Sequence, residues 1–159
     1  MELEPFDPYA WHDDVVHGLH LALGDHEAGD WRSDLVFDID HIVTWSTAGE
    51  GRSSFEIAPA TLTFHHAADL RLSIDCGDTG GQVALHAWSI DCITRERVTD
   101  QKVCLDRPYF RWRINLNWPK DGLIAFAGSG FTQVLRASPV SSEVVGLPAR
   151  LRLFPPVAS

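Results

Sequence analysis

Residues 9–23 read YAWHDDVVHGLHLAL, and three of the eight histidines, His12, His17 and His20, stand there beside Asp13 and Asp14. Imidazoles and carboxylates are the groups of acid–base catalysis and of metal ligation. FHHAADL (64–70) adds His65 and His66, and FDIDH (37–41) adds Asp38, Asp40 and His41. Strand geometry limits which of these can cooperate. Side chains alternate faces along a strand, so His12, Asp14 and His20 share one face, while Asp13 and His17 share the other with Leu19 and Leu21. His17 therefore groups with the aliphatic residues. His20 stands more than about 13 Å along the strand from the entry residues, too far to share one ion with them. His12 and Asp14, about 6.6 Å apart on one face, are the pair from which a catalytic or metal-assisted hydrolytic site would start. Further ligands would have to come from His65, His66, Asp38, Asp40 or His41. The commoner role of such residues is capping and hydrogen bonding at the start of a strand, and that is the expectation here. Likewise FHHAADL reads as a turn, with Asp69 bonding local backbone.

Other chemistries lack their signatures. The His-Asp dipeptide of helical metal phosphohydrolases needs ligand-bearing helices, which the pattern does not supply. There is no G-x-S-x-G elbow, and Ser129 in GSG lacks the strand–nucleophile–helix setting. No phosphate-binding loop or dinucleotide fingerprint is present, and no cofactor or metal is implied. Cys76, Cys92 and Cys104 make an odd count without C-x-x-C spacing, which fits reduced thiols buried as small hydrophobes in a cytoplasmic protein. Arg111 and Arg113 alternate with Trp112 and Trp118, so the charges and the rings fall on opposite faces. That separation argues against binding of single-stranded nucleic acid.

The elements that must position these residues are strands. RWRINLNW sets Trp112, Ile114, Leu116 and Trp118 against Arg111, Arg113, Asn115 and Asn117. DLVFDID sets Leu35, Phe37 and Ile39 against Asp34, Asp38 and Asp40. Such alternation marks antiparallel sheet with one solvated face. Strands are expected near 14–23, 34–45, 53–58, 60–65, 69–75, 83–95, 109–118 and 122–137, the last bulged at GSG (128–130). WPKDG (118–122) reads as a hairpin, with Pro119 presetting the turn and Gly122 taking positive φ. GDHEAGD, STAGEGRSS and GDTGG read as the other turns. Helical spacing is absent apart from room for one turn in SSEVVGLPA (141–149). The fold class expected is therefore all-β: an antiparallel meander forming a sandwich or strongly curved sheet, with at most one short helix. One domain over residues 1–150 and an extended tail over 151–159 complete the organisation. At least four of the six tryptophans are expected in the core.

Net charge is −9 and unevenly spread, since residues 1–50 hold 12 acids against the single base Arg32. A surface of this sign repels nucleic acid and anionic membranes and attracts a basic partner. No apolar run reaches the ~20 residues of a membrane helix, and MELEPFDPYA has no basic or apolar region of a signal peptide.

Trp11, His12 and Asp13, then Asp34, Leu35, Phe37 and Ile39, then Leu62, Phe64 and Leu70, form a pattern over the first half of the chain. It resembles a set of small uncharacterised bacterial β-rich proteins, themselves loosely similar to the immunity proteins of polymorphic toxin systems. The resemblance implies a β-rich fold, no known catalytic residues and, for an immunity role, a basic toxin domain as partner. The functional expectation is a non-enzymatic protein-binding domain using Asp13, Asp14, Asp34, Asp38 and Asp40. The rivals are a hydrolase built on His12 and Asp14, and a homo-oligomeric structural protein.

Overall fold

The computed structural model describes residues 5–77, 85–99 and 106–152, and its strands show the period-two burial most clearly over 110–116. They are β1 (Val15–Leu23), β2 (Ser33–Ala48), β3 (Arg52–His65), β4 (Ala68–Ser73), β5 (Trp88–Arg97), β6 (Phe110–Trp118), β7 (Leu123–Gly128), β8 (Gly130–Leu135) and β9 (Val140–Ser142). Among the described residues one 3-10 turn, Ala149–Leu151, follows. The fold is all-β and antiparallel, as expected. The GDTGG turn beyond Gly77, Cys104 and the tail from residue 153 lie outside the described residues.

β9 has no counterpart in the expected list, β5 begins at Trp88 rather than at 83, and two further elements differ for local reasons. The runs 53–58 and 60–65 are one strand, β3, although Pro59 interrupts them. Pro59 lies between the ladder to β9 (Phe55–Ile57) and the ladder to β8 (Ala60–His65). Its carbonyl accepts the Arg136 N–H at 2.7 Å on that edge, so its nitrogen faces a gap between ladders where a missing donor costs little. The run 122–137 instead breaks at Ser129 into β7 and β8.

All nine strands belong to one sheet of order β4-β7-β6-β5-β1-β2-β3-β8, with β9 beside β3. Its ladder is not closed and not curled into a barrel, and it replaces the two separate sheets expected of a sandwich. Two three-strand meanders, β1-β2-β3 and β5-β6-β7, form its halves. The join is thin: β1 meets β5 only at Val15↔Ser89 and Val16↔Trp88, extended by the Asp13–Ile90 and Ile90–Asp14 backbone bonds. The simple meander fails where β4 crosses to pair with β7 and β8 crosses to pair with β3.

One core joins both halves. Trp112 of β6 is fully buried, with ring centroids 5.0 Å from Phe64 of β3, 5.6 Å from Phe110 and 5.9 Å from Phe131 of β8. Its indole N–H donates to Gly128 O at 3.1 Å. A Cβ at Gly128 would lie 3.0 Å from His65 O, so the close approach of β7 to β3 favours glycine. Only Trp11 and Trp112 are buried tryptophans; Trp31, Trp45 and Trp118 are exposed and Trp88 is half-buried, against the expectation of at least four inside. In the WPKDG hairpin, Asp121 rather than Gly122 takes the positive φ. Gly122 is needed for space, since a Cβ there would meet Pro119 O and Leu116 at 2.9 Å.

A smaller cluster, Ile42, Phe55, Ile57 and Leu147 with Val140 against it, lies where the C-terminal segment packs on β2 and β3. The large core should dominate stability. Trp112→Ala is expected to cost about 3–5 kcal/mol in chemical denaturation, the usual range for a buried Trp truncation.

Candidate functional site

The residues singled out by type fall into three places. The first is the start of β1 and the middle of β2. Here Asp14 and Asp40 have side chains with 0% exposure. Asp14 Oδ2 lies 2.6 Å from His41 Nδ1, and its Oδ1 accepts the Ile42 N–H at 2.8 Å. Asp40 Oδ2 lies 2.8 Å from His17 Nε2 and accepts the Leu147 N–H at 2.8 Å. Its Oδ1 accepts Arg152 Nε–H at 3.2 Å, and Arg152 Nη2 also donates to Asp38 Oδ2 at 2.8 Å. Arg136 donates to the other oxygen of Asp38 and to Ala60 O and Thr61 Oγ1. The acids of β2 thus hold the C-terminal segment on the sheet.

Burial pushes the Asp14 carboxyl above its ordinary 3.8, with His41 and the Ile42 N–H offsetting only part of the cost. Burial raises Asp40 too, but His17, the Leu147 N–H and Arg152 together outweigh it and hold that carboxyl below 3.8. Asp14 is also raised by the neighbouring Asp40 charge, whereas Asp40 gains its lowering first from His17 and the Leu147 N–H and last from Arg152.

The second place is the end of the sheet around His12. Residues 7–14 are turns, with bonds Ala10 N–H to Asp7 O, His12 N–H to Tyr9 O and Asp14 N–H to Trp11 O. Asp13 takes φ +64°, held by its N–H to Ile90 O at 2.8 Å and by Asn117 Nδ2 donating to its Oδ1 at 2.7 Å. His12 Nδ1 donates to Asp91 O at 2.8 Å. Its ring lies 6.1 Å from Tyr9 and stacks on Trp45 at 6.4 Å. The Asp13 and Asp91 carboxylates stand 3.8 and 3.5 Å from His12 nitrogens. Tyr9 is 62% exposed and Trp45 50%, although Trp45 also packs on Phe55 at 4.8 Å.

The third place is at the β3–β4 turn. His66 Nδ1 lies 2.7 Å from Ser129 Oγ, and Arg107 Nη1 lies 2.8 Å from His66 Nε2. Arg107 Nη1 also lies 3.4 Å from His66 Nδ1, so the guanidinium reaches both ring nitrogens. Ser129 Oγ also donates to His65 O at 3.3 Å. His66 and Ser129 thus tie the β3–β4 turn to the junction of β7 and β8. His65 faces Thr132 at 3.0 Å and Asp34 at 3.5 Å, and Asp34 accepts the His66 N–H.

These placements revise the strand-based picture. His12 and Asp14 do not form a pair, because β1 begins at Val15 and the left-handed Asp13 breaks the alternation before it. His65 and His66 join neither of them. A register shift at His17 turns its ring to the outer face toward Asp40, away from the aliphatic residues. Asp14 and Asp40, expected outward, are buried and leave the docking surface; Asp38 is taken up by two arginines, and Asp34 by the His65–His66 turn. Asp13 stays accessible. Among the described residues no group of three or more His, Cys, Asp or Glu is placed to hold a metal ion. Tyr9, Trp45 and Asp91 were missed, since only the fold brings them to His12. The turn chemistry of the FDPYAWHDD segment was the available signal that strand alternation did not extend back to His12.

Comparison with protein-family models, with curated proteins and with solved structures found no match.

Acid titration separates the two buried acids. Asp40 contributes stability that is present above pH 3.8 and lost as pH falls through its lowered native value. Asp40→Asn should therefore cost about 2–4 kcal/mol at neutral pH, with the deficit shrinking in acid. Asp14 acts in reverse: its contribution is complete below pH 3.8 and declines as pH rises through its raised value. Asp14→Asn should remove that decline, so the variant gains relative to the parent as pH rises. Denaturant midpoints measured from pH 3 to 7, roughly the carboxylate titration range, would read both slopes.

Proposed function

We propose that the protein is a non-enzymatic binding domain that presents the Tyr9–His12–Trp45 ring cluster and its flanking carboxylates to a basic segment of a protein partner. The observation that carries this reading is the coincidence of two exposed aromatic rings with Asp13 and Asp91 around one histidine. Large solvent-exposed aromatics are the residue types that anchor interfaces. A guanidinium or ammonium laid against such rings gains cation–π attraction, and a carboxylate on either side completes its charge pairing. The backbone beneath the patch is held by the Asp13–Ile90, Asn117–Asp13 and His12–Asp91 hydrogen bonds, so little ordering is left for binding to impose. The rest of the acidic excess in the first fifty residues steers a basic partner from a distance. The N-terminal resemblance to immunity-type proteins supports a basic toxin domain as that partner.

The test is a titration of the full chain with an arginine-rich peptide, followed through the indole N–H resonances. The Trp45 signal is expected to move, and Trp45→Ala and Asp91→Asn are each expected to weaken binding about tenfold, the scale of an interface anchor. Affinity should also fall steeply as salt shortens the screening length. Binding indifferent to salt and to both substitutions would overturn the reading.

A further inference from the structure

The outer face of the other half carries a site of opposite sign. Register sets Arg113 of β6 opposite Thr94 of β5 and opposite Ala125 of β7, and sets Ala125 opposite Arg71 of β4. One row across four strands therefore runs Thr94, Arg113, Ala125, Arg71. In the next row Ala127 of β7 again stands beside an arginine, Arg111. Two alanines on β7 leave the sheet surface low between the longer side chains of β6 and β4. The result is an open groove of about 680 Å³.

Adjacent strands lie about 4.8 Å apart, so the backbones at Arg71 and Arg113 are about 10 Å apart with only a methyl group between them. Neither arginine is paired with a carboxylate among the described residues. Two cations reaching over one small residue repel each other unless an anion sits between them. The planar guanidinium fork suits a tetrahedral or planar oxyanion and can grip it with two parallel hydrogen bonds. The floor is stiff, since Trp112 and Phe126 beneath it belong to the core.

We propose that this groove binds a compact oxyanion of the phosphate type, free or as an ester on a larger molecule, between Arg71 and Arg113 above Ala125. The anion is compact rather than a long polyanion because Asp69 and Glu96 also line the groove and would repel its extension. A nucleobase is disfavoured because the aromatic residues of the groove, Trp112 and Phe126, are 0% and 3% exposed and offer no stacking surface. The site is independent of the aromatic–acidic patch and uses none of its residues.

The experiment titrates the full chain with inorganic phosphate and pyrophosphate at constant ionic strength, reading arginine side-chain N–H resonances. Saturable shifts are expected, tighter for pyrophosphate. Arg71→Gln and Arg113→Gln should each weaken binding about tenfold, as loss of a charge-assisted bond does. Ala125→Leu, which fills the floor and keeps both charges, should weaken it as well. Asp91→Asn should leave it unchanged. Thermal melts of each variant confirm that the fold is kept, since all three groove positions lie on the outer face. A phosphoserine peptide binding more tightly than phosphate assigns the site to an ester, and one binding no more tightly assigns it to the free ion. Shifts equal to those from sodium chloride, or unchanged in all three groove variants, overturn the proposal. So does a single-stranded oligonucleotide whose affinity grows with length beyond that of pyrophosphate.

Discussion

A carboxylate removed from water must find its partners inside the protein, and Asp14 and Asp40 impose that condition on the structure around them. Asp14 immediately precedes β1 and Asp40 lies within β2, both near the thin join of the two half-sheets. Asp14 takes the Ile42 N–H beside a register shift in β2 and orients His41. Asp40 takes the Leu147 N–H and Arg152, which closes the C-terminal segment over β2 and β3 and seals the smaller apolar cluster. An unpaired charge at either place would cost several kcal/mol, roughly the net stability of a small domain. The strand register and the path of the C-terminal segment both follow from meeting that condition.

The same pairing explains where surface charge is left. The first fifty residues hold more than the whole of the chain's negative excess, yet the partners of their Asp38 and Asp40, Arg136 and Arg152, come from its far end. Acids on the middle of β2 are consumed in closing the fold. Acids at the sheet end beside Trp45 are not. On the other half, β6 and β4 turn arginines outward from a core-facing alternation, and the alanines of β7 keep them apart. One sheet thus presents a negative aromatic end and a positive groove.

Much of the fold was legible. The alternation in RWRINLNW placed Trp112, Ile114 and Leu116 inward, and DLVFDID did the same for Leu35, Phe37 and Ile39. Burying those sets drives the two half-sheets onto one core. The site was less legible, for identifiable reasons. Extending the β1 alternation back to His12 ignored a turn that only its hydrogen bonds reveal. His17 was assigned to the wrong face because the register shift falls at that residue, while Leu19 and Leu21 beyond it keep the face expected of them. Asp40 was placed outward correctly with respect to the sheet, but a segment more than a hundred residues later covers it.

The sequence by itself determined the class of structure, the inward residues of β2 and β6, and the sign of the charge on each stretch of chain. These depend on neighbours along the chain, through side-chain period and turn residues. Tertiary structure alone decided which charges are spent and which are shown. It buried Asp14 and Asp40, set Trp45 on His12, and brought Arg71 level with Arg113 across β7. Those outcomes depend on strand register and on contacts between distant segments, which pairing energies settle only when the whole sheet assembles.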